Sequence, residues 1–220
     1  MIFVLLMGYE NKYLDLIREA YIRQKNNNFE LLEFINKKGY TTGYCWNQLL
    51  KKAEGEWVLM THTDCVPDYR LIDNYSKVSE YAVYAGSRFP IKKPSLDEYE
   101  AKWTGSTLER NVVRLDAYLK LGLDFESSNC PYYMISGSNF LAPKSFIEDI
   151  KFDEDLYAAD WMMGLRLWKK GLAIKHLPQA IVYHIEHESK RTLDKTNNMK
   201  KFYAREKSIH GYSFNQKGIT

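Results

Sequence analysis

Strand, helix, strand, helix, strand is how residues 1 to 60 read, and that order predicts an α/β domain with a mostly parallel, mixed central sheet flanked by helices. Three observations carry it. The run Ile2 to Met7 is apolar, partly β-branched and ended by Gly8, as a buried strand should be. Leu14, Ile17, Ala20 and Tyr21 then recur at three- and four-residue spacing, the signature of one buried helix face. Phe29 to Ile35 returns to a short apolar, aromatic run, the second strand.

The remaining elements follow in order. Asn11 is placed to cap the first helix, which closes near Gln24 ahead of polar Lys25 to Asn28. Gly39 and Gly43 make a turn, Trp46 to Ala53 reads as a helix stopped at Gly55, and Glu56 to Met60 as a third strand. The middle is less regular: a helix near Tyr69 to Ser76, a strand at Tyr81 to Ala85, a Pro-bearing loop at 88 to 95 and a helical stretch from Leu96 to Leu121. Then come the turn Gly137-Ser138-Asn139, a strand Phe140 to Ala142 and a short helix Lys144 to Ile150. A helix from Asp160 to Lys170 stops at Gly171, and a strand Ala180 to Tyr183 runs into His184. No repeat and no linker divides the chain, so one domain over 1–220 is expected.

Composition narrows the classes. At 220 residues, 45% hydrophobic and 27% charged, the chain can bury a large core, which excludes a predominantly disordered protein. Its 31 Lys plus Arg against 28 Asp plus Glu leave +3, too little to indicate nucleic-acid binding. Cys45, Cys65 and Cys130 form no C-x-x-C pair, which argues against a zinc or redox motif and for a reducing compartment. Ile2 to Met7 is too short to span a bilayer and lacks a basic leader, so a cytoplasmic protein is expected. Lys190 to Lys207 is basic with Phe202 and Tyr203 interleaved, either a solvated helix face or a peripheral contact with an anionic membrane at its inner face.

Ligands of parallel sheets bind beyond the carboxyl ends of strands, which directs attention to Thr61-His62-Thr63-Asp64-Cys65-Val66-Pro67. Imidazole and carboxylate two residues apart suit a divalent cation, although such a pair alone is more often a turn Asp and a half-buried His. The surrounding motifs add weight. Gly39 to Gly43, the helix bearing Asn47 and the run Ala53-Glu54-Gly55-Glu56-Trp57-Val58 precede it; Ser136-Gly137-Ser138-Asn139-Phe140 follows. After these come Phe152-Asp153-Glu154-Asp155 and Ala159-Asp160 with Arg166 and Gly171 downstream.

In that order the motifs resemble the GT-A fold nucleotide-sugar glycosyltransferases of the family 2 type, over about residues 29 to 189. The resemblance implies a Rossmann-like domain that moves a sugar, UDP-linked most readily, to a saccharide hydroxyl with inversion. It places nucleotide binding in 1–87, acceptor binding and catalysis in 88–189 and a basic tail in 190–220. Asp160 falls on the catalytic base, with a helix N-terminus expected to lower its pKa. Asp64 with His184 or His62 would hold Mn2+ or Mg2+. Donor contacts fall on His62, Asp64, Asn47 and Gly43, with Glu33 and Asn36 as candidates for the base; acceptor contacts fall on Gly137, Asn139, Trp161 and Arg166. The partners implied are a nucleotide-sugar donor and a saccharide or lipid-linked acceptor in polysaccharide or glycoconjugate synthesis. Two motif acids are replaced, by His62 and Ala159, so a carbohydrate-binding scaffold is the alternative from another class. A sugar nucleotidyltransferase would need a Gly-rich basic phosphate loop, which Met7-Gly8-Tyr9-Glu10 does not provide.

Overall fold

The computed structural model describes residues 1–91, 135–156, 159–185 and 192–210. In chain order these form β1 (Ile2–Gly8), α1 (Leu14–Ile22), β2 (Phe29–Ile35), α2 (Thr42–Lys52), β3 (Trp57–His62), β4 (Cys65–Pro67), α3 (Leu71–Tyr75), β5 (Val83–Ile91), β6 (Asn139–Pro143), α4 (Lys144–Ile150), α5 (Ala159–Lys169), β7 (Ile174–Ile185) and α6 (Thr192–His210). The strands make one mixed sheet in the order β2-β1-β3-β6-β5-β7-β4. β2, β1 and β3 run parallel, as do β5 and β7, while β6 is antiparallel to both its neighbours and β4 to β7. The expected α/β class is the observed one.

Alternation along the strands explains the two-sided core. Phe3, Leu5, Met7, Val58 and Met60 face one side, where Trp46 and Leu49 of α2, Met162 and Met163 of α5 and Phe202 of α6 cover them. Ile2, Val4, Leu6 and Leu59 face the other, under Ile17 and Tyr21 of α1 and Leu71 and Ile72 of α3. A strand buried on both faces carries no polar positions, which is why β1 reads as an unbroken apolar run.

Several expectations are corrected. Asn11 does not cap α1: its Oδ1 accepts from the Tyr13 N–H at 2.8 Å, closing an Asx turn, while its Nδ2 donates to the Thr63 carbonyl at 2.7 Å. α2 begins at Thr42, capped by Thr41, whose hydroxyl accepts from the Tyr44 N–H at 3.2 Å, so Gly43 lies in the helix rather than in the turn. Gly39 does hold a turn, with φ +70. β5 continues through 88–91, where a loop was expected, because parallel pairing with β7 extends to Ile91↔Ile185. β7 is correspondingly longer than Ala180 to Tyr183. The basic C-terminal segment is not a free tail, since α6 buries Phe202 completely. The helical stretch expected at 96 to 121 lies outside the described residues, as does Cys130.

Candidate functional site

Parallel pairing of β1, β2 and β3 brings Gly8, Ile35 and His62 to one sheet edge. β6 runs the other way beside β3, with Thr61 opposite Asn139, so the turn before β6 arrives at that edge and sets Gly137 against His62. β4 pairs with β7 so that Cys65 faces His184. The Ile185 N–H donates to the Asp64 carbonyl at 2.8 Å, closing the same corner. Residues more than a hundred positions apart thus share one corner of the molecule.

Asp160 stands in the first turn of α5. Its Oδ2 accepts from the Gly137 N–H at 2.8 Å and its Oδ1 from the Trp161 N–H at 3.0 Å. Burial of the carboxyl outweighs these two donors and the nearby His62, and pushes its pKa up. A helix N-terminus alone would lower it; the expectation that this end effect dominates is overturned by desolvation.

Asp64 and His184 meet with Oδ2 and Nε2 3.6 Å apart, each about a quarter exposed. The Cys65 thiol donates to Asp64 Oδ1 at 3.3 Å, and the three residues' donor atoms lie within 4.8 Å of one another. Burial pushes the Cys65 thiol well above its ordinary range, which favours the thiol over the thiolate that ligates metals. A carboxylate and an imidazole remain, a donor set that fits Mn2+ or Mg2+ completed by phosphate oxygens.

His62 stands apart from that group. Its ring stacks on Trp46, centroids 5.6 Å apart and planes inclined by 20°, and its Nε2 is buried against Gly137. Strand parity is the reason: His62 shares the face of Met60, toward α2 and α5, while the turn at 63–64 carries Asp64 to β7 instead. Burial lowers the His62 pKa, which favours the neutral ring. His62 is thus not among the residues whose ligand atoms cluster at Asp64, Cys65 and His184.

Other candidates are engaged within the fold. Asn47 Nδ2 donates to the Phe152 carbonyl and to Glu154, and its Oδ1 accepts from the Phe152 N–H, so Asn47 brackets the segment leading to α5 rather than facing a donor. Gly43 lies against the backbone of Asp153, where a Cβ would overlap the carbonyl, and so is a close-approach glycine. Asn139 is buried, accepting from Tyr75 and donating to the Ser87 and Ala180 carbonyls, which removes it from the acceptor side. Arg166 forks onto Asp153 at 2.9 Å to both oxygens. Glu33 pairs with Arg18 at 2.7 Å. Asn36 closes its own turn through the Tyr40 backbone. Trp161 packs edge-on against Phe202 at 5.9 Å, beside Asp160.

Sequence reasoning missed Trp46 and Arg88. Trp46 reads as a core position on α2, which it is, and only the tertiary structure shows that its indole stacks on His62. Arg88, exposed on β5, pairs with Val182 of β7, two residues before His184, and it lay within the segment expected to be a loop.

No family model and no curated protein matches the sequence. Solved structures do. TarS 1-349 of S. aureus in complex with UDP-GlcNAc matches with TM-score 0.62 at 15% identity, over 92% of this chain and 65% of that one. The mannosyltransferase PcManGT from Pyrobaculum calidifontis in complex with GDP-Man and Mn2+ matches with TM-score 0.61 at 11% identity, over 93% of this chain and 63% of that one. This chain thus spans slightly less than two thirds of either structure, and the likeness shows a GT-A type fold. Among the described residues no helix is long and apolar enough to cross a membrane.

Proposed function

We propose that this chain transfers a sugar from a nucleotide-sugar donor, UDP-linked most readily, to a saccharide hydroxyl with inversion, within 1–87 for the nucleotide and 88–189 for acceptor and catalysis. The observation that carries the reading is Asp160: a carboxylate fixed by two backbone N–H groups at the sheet edge that also presents Asp64 and His184. The glycosyltransferase structures that share the fold add support.

Inverting transfer needs a base on the acceptor side and positive charge on the leaving-group side. Asp160 takes the proton of the attacking hydroxyl, and burial suits it to the task by raising its proton affinity. The Gly137 and Trp161 N–H groups hold the carboxylate in one orientation, so the step does not wait for a rotamer. Asp64 and His184 would hold a divalent cation, Mn2+ or Mg2+, which when bound supplies positive charge to the departing diphosphate. Arg88, opposite Val182 and so two strand positions from His184, adds a protein cation. The acceptor is a saccharide, free or lipid-linked, in polysaccharide or glycoconjugate synthesis.

Calorimetric titration with UDP, with and without Mn2+, tests this. Binding strengthened by Mn2+ is expected. No binding under either condition sinks the transferase reading and favours the carbohydrate-binding scaffold.

A further inference from the structure

Among the described residues four buried side-chain polar atoms make no hydrogen bond, Tyr21 Oη, Thr61 Oγ1, Trp46 Nε1 and His62 Nε2, and the last two converge on one glycine. Trp46 is completely buried, and its indole is stacked on the His62 ring. Both nitrogens look onto Gly137. The position a Cβ would take there is 2.9 Å from His62 Nε2 and 3.5 Å from Trp46 Nε1. The Gly137 N–H, in turn, is the donor that holds Asp160 Oδ2. A buried polar group without a partner costs about 1–3 kcal/mol, so two converging on one glycine call for a ligand atom between them.

Their chemistry specifies that atom. An indole N–H only donates, whereas an imidazole nitrogen accepts or donates according to its tautomer. A hydroxyl carries both functions: it accepts from Trp46 and donates to His62, or accepts from both. A carbonyl oxygen meets only the second case and an ammonium neither. The notch also adjoins the carboxylate assigned to the acceptor proton, where the reacting saccharides meet.

We infer that Trp46, His62 and Gly137 form a notch that reads one saccharide hydroxyl, a neighbour of the reacting centre rather than the attacking group itself. The inference rests on the glycosyl-transfer reading and adds a determinant of specificity to it. A substrate lacking that hydroxyl leaves both nitrogens buried and unpaired, the kind of mismatch that discriminates strongly. The hydroxyl could come from the donor sugar or from the acceptor, and the test separates the two.

The indole N–H resonance of Trp46, identified in 15N-labelled protein by its loss in Trp46→Phe, is followed during titrations. The probes are UDP, UDP-N-acetylglucosamine, GDP-mannose, and methyl glucoside or methyl mannoside added with UDP. Displacement by a nucleotide sugar but not by UDP assigns the hydroxyl to the donor; displacement by a methyl glycoside assigns it to the acceptor. Gly137→Ala, which keeps the reporter and fills the notch with a methyl group, should raise the saccharide concentration required by at least ~10-fold. If UDP moves other resonances while no saccharide moves Trp46, the notch is overturned and the transferase reading stands. The notch is overturned equally if the Trp46 N–H is exchange-protected in the free protein and unmoved by saccharide, which marks a permanently held water. If UDP moves nothing, the transferase reading falls and the notch with it.

Discussion

The Gly137 backbone N–H donates to Asp160 Oδ2 at 2.8 Å, tying the turn before β6 to the first turn of α5 across 23 residues of sequence. This bond makes Asp160 a fixed group rather than a surface carboxylate. It also couples its charge to the fold, so chemistry and stability are predicted together.

Asp160→Asn keeps the side-chain shape but removes the proposed base. Turnover should fall by at least ~10²-fold while UDP binding changes little. Retention of full turnover would move the base elsewhere.

The stability of the same variant carries a sign. The folded-state pKa of Asp160 is raised by burial, so the native state binds its proton more tightly than the unfolded chain does. Its contribution to stability is fully present below the ordinary carboxylate value of 3.8 and is lost as pH rises through the raised value. The unfolding free energy of wild type relative to Asp160→Asn should therefore decline from acid toward neutral pH, in paired urea titrations. A difference that is flat or rising with pH would contradict the burial argument.

Asp64→Asn and His184→Ala should each weaken Mn2+-dependent UDP binding, by at least ~10-fold. His62→Asp should not tighten Mn2+, because position 62 faces Trp46 and Gly137 rather than the Asp64 corner. Calorimetry with Mn2+ and UDP distinguishes these outcomes, and tighter Mn2+ in His62→Asp would put that side chain on the cation.

The segment 152–155 is bracketed from three helices. Asn47 binds the backbone of Phe152, Arg166 forks onto Asp153, and Arg205 of α6 reaches Asp155 at 2.8 Å. Asn47→Ala should cost about 1–3 kcal/mol by leaving buried backbone groups unpaired, and Gly43→Ala about as much by forcing α2 off Asp153. Urea midpoints measure both; an unchanged midpoint in either would show that the segment is held elsewhere.

Phe202→Ala should destabilise by about 3–5 kcal/mol, since its ring is wholly buried against Trp161. A thermal melt decides. A melt indistinguishable from wild type would return 190–207 to the status of a detachable basic tail.

Much of the fold was legible because it is local. The apolar run of β1, the spacing of Leu14, Ile17, Ala20 and Tyr21 in α1, and Gly171 ending α5 with φ +76 each report a backbone preference or a burial period set within a few residues. The motif order also led to the GT-A type fold, and it singled out Asp64 and His184, whose side chains lie 3.6 Å apart. What the sequence left open depends on partners remote in the chain. Asn47 and Asn139 look like ligand-contacting amides, yet their partners include Phe152, Ala180 and the Tyr75 hydroxyl, and only the folded backbone brings these into range. His62 looks like one half of a metal pair two residues from Asp64. Whether it joins that pair is decided by where β3 ends: one more strand residue before the turn puts its ring on the α2 face, against Trp46, and two residues later the chain has already turned toward β7. Residue type and local periodicity therefore determined which elements form and which groups can do chemistry. The register between strands distant in sequence determined which of those groups meet, because a hydrogen bond or a metal ligand is effective only over about 3 Å and no local pattern encodes that distance.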